Sequence, residues 1–133
     1  MTAASVLWGV YVYRRQMNAQ LFVEYTKRYE EVMRSYPEGV RKLRLDSGAE
    51  PPPESEELSS AILRYLNLCS EEFYLWKRGY LAGDIWRIWE GELKRTLSSP
   101  LYRRGWRKLA SEFESYREFA DYVGEAQRPA APK

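Results

Sequence analysis

Met17, Leu21, Tyr25, Tyr29, Val32 and Tyr36 recur at spacings of four, four, four, three and four, the interval that lays one apolar stripe along an α-helix. The same interval returns in Leu58, Ile62, Tyr65, Leu66, Cys69, Phe73 and Trp76. It returns again in Ile85, Trp86, Ile88, Trp89, Leu93 and Leu97, and in Leu101, Trp106, Leu109, Ala110, Phe113, Tyr116, Ala120 and Val123. Nowhere do apolar and polar residues alternate in a run, so the chain reads as all-α with no sheet. Four main helices in two antiparallel hairpins are expected, with a short apolar N-terminal segment, residues 1–15, continuous with the first helix. The helical domain then covers 16–124 and a disordered tail 125–133.

Local signals set the boundaries. Pro37-Glu38-Gly39 stops the first helix near Tyr36, because proline lacks a donor N–H and disfavours helical geometry in the residue before it. Val40 to Leu45 adds a short turn of helix, and residues 46–55 form an acidic loop stiffened by three successive prolines. Ser55 is placed as the N-cap of the second helix, with Glu56 and Glu57 at the favourable end of its dipole. Asp84 is the expected N-cap of the third. Ser99 with Pro100 at the first helical position starts the fourth, which is expected to run unbroken to Gly124.

Composition narrows the chemistry. The 133 residues contain no histidine and one cysteine, which removes imidazole-based nucleophile pairs, histidine-ligated metals and internal disulfides. Cys69 lies among Leu66, Leu68, Phe73 and Leu75 and reads as core filling. Gly79, Gly83 and Gly91 do not have the spacing of a phosphate-binding loop. The carboxylate groups Glu30-Glu31, Glu71-Glu72 and Glu90 with Glu92 read as solvated faces, since adjacent helical residues point about 100° apart. No enzymatic activity, cofactor, metal or small-molecule substrate is expected.

The net charge of +2 conceals alternating blocks: +4 over residues 1–45, −6 over 46–76, +6 over 77–109 and −2 over 110–133. In an antiparallel bundle these blocks become neighbours and pair, each exposed pair contributing well under a kilocalorie. That reading is preferred to a nucleic-acid surface, which needs a sustained basic face.

From Met1 to Tyr13 there is no charged side chain, and Arg14-Arg15 ends the stretch. A secretory signal would need basic residues ahead of the apolar run and a small-residue cleavage site after it, and neither is present. Thirteen residues fall short of the roughly 20 that cross a bilayer. Yet Trp8, Tyr11 and Tyr13 followed by Arg14 and Arg15 have the order of a membrane helix's cytoplasmic end, aromatics at the headgroups and positive charge inside. The segment is therefore expected to be the inner half of an anchor that upstream residues would complete. The competing expectation is a first turn that packs on the domain.

A second distinctive constellation is Trp86-x-x-Trp89, followed across the Ser98–Pro100 turn by Trp106. If the third and fourth helices fold back on one another, the three indoles come together as core. With Arg103 and Arg104 beside them, Trp86, Trp89 and Trp106 are also the candidate partner face, because tryptophan and arginine dominate binding hot spots.

An apolar N-terminus is followed by Glu-Tyr-Thr-Lys-Arg-Tyr-Glu-Glu-Val-Met, then Tyr-Leu-Asn-Leu-Cys-Ser-Glu-Glu-Phe. Gly-Asp-Ile-Trp-Arg-Ile-Trp and Ser-Pro-Leu-Tyr-Arg-Arg-Gly-Trp come after them. This order resembles a family of small, membrane-anchored, all-helical bacterial proteins of unknown function, over roughly residues 5–123. The resemblance implies a short anchor and a cytoplasmic helical domain, and it supplies no catalytic residue. The expected role is a membrane-proximal interaction or scaffold module at the bacterial inner membrane. Its domain would face the cytoplasm, and its partners would be the membrane through residues 1–15 and a protein or a second copy. The alternative is a cytoplasmic helical accessory protein that binds nucleic acid.

Overall fold

A computed structural model describes residues 2–46 and 48–129. The protein is all-α, with five helices: α1 (Ala3–Arg34), α2 (Glu56–Lys77), α3 (Gly83–Leu97), α4 (Pro100–Leu109) and α5 (Arg117–Ala126). Two short 3-10 turns, Arg41–Leu45 and Ala110–Phe113, complete it, and no strand occurs among the described residues.

Several starts and stops fall where side-chain chemistry puts them. The Ser55 hydroxyl accepts from the Leu58 N–H at 3.1 Å, and the Ser99 hydroxyl accepts from Tyr102 N–H at 3.3 Å with Pro100 in the first turn. Each satisfies one of the four amide donors that a helix start leaves without an internal partner. Helix α2 ends at Lys77 and is followed after Arg78 by Gly79, whose φ of 79° lies in the left-handed region that glycine enters without a Cβ penalty. Helix α1 stops at Arg34, where the Ser35 hydroxyl donates to the Val32 carbonyl at 2.6 Å, because Tyr36 precedes a proline. Asp84 is not the N-cap of α3: the cap is Ala82, two residues earlier, and the Asp84 carboxylate accepts instead from Ile85 N–H at 2.9 Å.

The expected fourth helix is two helices. A straight rod from Pro100 to Val123 would be about 36 Å long, against about 22 Å for α3. It would carry its last two turns past the end of the core. The 3-10 turn and the bonds Glu114 N–H to Ser111 O and Tyr116 N–H to Phe113 O bend the chain instead. Phe119 and Val123 are thereby fully buried. Gln127 then donates to the carbonyls of Leu97 at 3.0 Å and Tyr102 at 3.4 Å, and the Tyr122 hydroxyl donates to Glu90 at 2.7 Å. Glu125 and Ala126, expected in the tail, thus belong to α5. Residues 130–133 lie outside the described residues.

Helix α2 is the centre, packing on α1, α3 and α4. Its buried face holds Leu58, Ala61, Ile62, Tyr65, Leu66, Cys69 and Phe73. Gly105 of α4 sits against Ile62, where a Cβ would come within 3.1 Å of two of its carbons, so the close approach of α4 and α2 depends on the missing side chain.

Candidate functional site

Two features stand out from the packed core: the exposed first turns of α1, and a cavity between α1, α2 and α3. The first follows directly from the uncharged N-terminal sequence. Residues 3–13 are helical and continuous with the part of α1 that packs on the domain. Leu7 is 70 % exposed, Trp8 67 % and Tyr13 66 %, with Val6, Val10 and Tyr11 also exposed. Arg14 and Arg15 follow on the same helix, both exposed. The first tie between α1 and the α2–α3 junction is the Asn18 side chain, which accepts from Ala82 N–H at 2.6 Å. No helix among the described residues is long and apolar enough to cross a membrane.

The cavity has a volume of about 270 Å³. Phe22, Tyr25 and Trp89 form an aromatic wall, with Trp89 stacked on Phe22 (ring centroids 6.2 Å, 14°) and tilted on Tyr25 (5.7 Å). Ile88 and Leu93 add aliphatic surface, while Glu72 from α2 and Glu92 from α3 line it with carboxyl groups.

The two glutamates have opposite surroundings. Glu92 accepts from the hydroxyls of Tyr65 at 2.7 Å, Thr96 at 2.8 Å and Tyr29 at 3.1 Å, and it pairs with Arg44 at 3.7 Å. Arg44 in turn donates to the Tyr29 hydroxyl and is itself buried. Glu72 is only 7 % exposed, with no hydrogen-bond partner among the described residues. Desolvation, followed by the charge of Glu92, pushes its carboxyl up from 4.5 to about 8, against a smaller opposing pull from Arg28. Burial, then Glu72 and Glu92, also push the Cys69 thiol well up, so it is an inert core group as its neighbours suggest.

These positions revise the carboxylate reading. Glu71 and Glu72 do diverge around the helix, but only Glu71 is solvated, held at 2.6 Å by Arg28. Glu72 turns inward beside Cys69 and Phe73, and Glu92 from the neighbouring helix faces the same cavity. The signal was present: Glu72 falls three residues after Cys69, on the stripe itself.

The glutamate sets a pH dependence. Below pH 4.5 the Glu72 carboxyl is protonated in both the folded and unfolded chain and contributes nothing. Between 4.5 and about 8 the unfolded chain releases the proton while the folded protein retains it, so stability falls as pH rises through that window. The loss is on the order of a few kcal/mol. Glu72→Gln is expected to flatten the pH profile of the melting temperature and to raise it above wild type at pH 8. Parallel profiles for the two proteins would contradict the assignment.

The tryptophans do not form one face. Trp86 is 2 % exposed and stacked on Trp76 (4.7 Å, 6°) inside the core, so it is removed from the candidate partner face. Trp89 is half-buried against α1, and Trp106 is half-buried against Phe113 and Phe119 (5.7 and 6.4 Å). Arg103 donates to the Ser98 carbonyl at 2.9 Å, and Arg104 pairs with Glu54 at 3.7 Å. The expected meeting of Trp86, Trp89 and Trp106 fails because the break after Leu109 gives Trp106 its own aromatic partners, while α1 covers Trp89.

No protein-family model, curated protein or solved structure matches this chain.

Proposed function

We propose that the protein is a membrane-proximal helical module whose first turns of α1 enter a lipid surface, in keeping with the membrane-anchored bacterial proteins its sequence resembles. The observation that carries this reading is the exposure of Val6, Leu7, Trp8, Val10, Tyr11 and Tyr13 on a helix with no charged side chain before Arg14. A helix apolar all round has no face suited to water, and it is stable where its whole circumference is covered. Burying Val6, Leu7 and Val10 in acyl chains contributes roughly 1.5–3 kcal/mol for each side chain fully covered. Trp8, Tyr11 and Tyr13 suit the headgroup layer, and Arg14-Arg15 suits anionic lipid phosphates.

Residues 3–13 extend about 16 Å, half the thickness of the hydrocarbon layer, so by themselves they insert without crossing it. In this reading the domain faces the cytoplasm at the bacterial inner membrane and acts as an interaction or scaffold unit, not as an enzyme. The core is then two antiparallel hairpins, α1 with α2 and α3 with α4, extended by α5. The pairing of Arg28 with Glu71 and of Asn18 with Ala82 supports opposite chain directions in the first of them.

The test is flotation with vesicles of mixed zwitterionic and anionic phospholipid. The full chain is expected to float with the vesicles. Leu7→Asp combined with Val10→Asp is expected to remain in the dense fraction, with its melting temperature unchanged because both positions are exposed. Equal flotation of the double variant would contradict the proposal.

A further inference from the structure

The cavity lined by Glu72 is separate from the lipid-facing turns, and its chemistry is specific. An aromatic wall of Phe22, Tyr25 and Trp89 stands opposite a carboxyl group that is over nine-tenths buried and has no hydrogen-bond partner among the described residues. Its oxygens keep some contact with solvent rather than being sealed in the core, so a donor bound in the cavity can reach them. The Glu92 carboxylate, joined by Glu72 once it ionises, disfavours anions, and aromatic faces attract cations. A metal ion is a poorer fit, because hard cations need several oxygen ligands and Glu92 is already committed to Tyr29, Tyr65 and Thr96. The volume of about 270 Å³ lies just under the usual range for small-molecule sites. It suits a compact ligand.

We propose that this cavity binds a small free primary amine in its alkylammonium form, the ammonium donating to the Glu72 carboxylate and the alkyl stem lying against Trp89, Phe22 and Ile88. On binding, the Glu72 proton passes to solvent and the ammonium takes its place, so no net charge is buried alone. The titratable groups around Glu72 are Tyr25, Arg28 and Tyr29 of α1, Tyr65, Cys69 and Glu71 of α2, and Glu92 of α3. Arg28 is occupied by Glu71, and burial holds the tyrosines and the thiol neutral, while Glu72 is pushed up to about 8, so its proton exchange falls near neutrality.

Calorimetric titration of the full chain in nonionic detergent tests this with n-butylamine, n-butanol and tetramethylammonium as probes. Butylammonium is expected to bind at least tenfold more tightly than butanol, and more tightly than tetramethylammonium, which has no N–H to donate. Its affinity is expected to rise by up to about tenfold per pH unit below pH 8, as the Glu72 proton becomes easier to release. Glu72→Gln, which keeps the side-chain shape, is expected to lose at least tenfold in butylammonium affinity and the pH slope with it. The comparison of probes and the pH slope are read on the wild type, so they stand even where the variant fails to fold. Equal binding of butylammonium and butanol, tetramethylammonium binding as tightly as butylammonium, a flat pH profile, or full affinity in a folded Glu72→Gln protein would each overturn the proposal.

Discussion

Replacing Trp86 by alanine is expected to remove about 3–5 kcal/mol of stability, the usual range for truncating a buried aromatic side chain. The side chain is 2 % exposed, stacked on Trp76 and met edge-on by Phe73 at 6.2 Å, with Tyr122 of α5 at 6.0 Å. These rings come from α2, α3 and α5, so the cavity would loosen the docking of three helices at once. In a domain whose total stability is about 5–15 kcal/mol, the melting temperature should fall by roughly 10–20 °C. Trp86→Phe should lose less, because it keeps a ring in the stack and removes an indole N–H that has no hydrogen-bond partner among the described residues. Thermal unfolding followed by circular dichroism checks both. A loss within half a kilocalorie for Trp86→Ala would place the indole at the surface.

Glu92→Ala is expected to have the next largest effect, for a different reason. The carboxylate is the shared acceptor of Tyr65, Thr96 and Tyr29 and the partner of the buried Arg44 guanidinium. Removing it leaves a charge and several hydroxyls without their acceptor. Breaking a fully buried pair on one side typically costs about 3–5 kcal/mol; with Glu92 half-buried the loss should fall toward the lower end of that range, carried mainly by the hydroxyls left without an acceptor. Because Arg44 lies in the 3-10 turn after α1, losing its anchor should also release that turn. Increased amide exchange across residues 41–45 in Glu92→Ala would show this. Glu92→Gln, which keeps one acceptor oxygen, should lose less, and equal losses for the two variants would mean that packing, not hydrogen bonding, sets the cost.

The helices themselves were legible because their information is local. Ser55 and Ser99 cap from one residue, Pro100 presets its own backbone angle, and the stripe on α2 needs only the helical repeat. What was not legible depends on distant segments meeting. Glu72 lies on the buried stripe of α2, yet nothing near it in the chain shows that Glu92 of α3 and the wall of α1 would share its cavity. Arg44 looks like an exposed cation until the tyrosines and glutamate that surround it are placed. Trp76, outside the expected cluster, proves to be the stacking partner of Trp86, whereas Trp106 turns to Phe113 and Phe119. The break between α4 and α5 likewise follows from the length of α3, a constraint that the sequence of residues 100–126 does not contain.

The apolar start of α1 was plain in the sequence, and its exposure is what the fold adds. The most direct measurement of its role is the depth of Trp8 in a bilayer. Fluorescence of the full chain on vesicles is compared with that of Trp8→Phe, using phospholipids brominated at different positions along the acyl chain. The signal lost in the variant is expected to be quenched most strongly by bromines nearest the headgroups, where an aromatic ring nearly two turns above Arg14 and Arg15 should lie. Quenching that is identical in Trp8→Phe and the parent, or absent from both while the protein remains folded, would contradict insertion and leave the exposed turns to a protein partner.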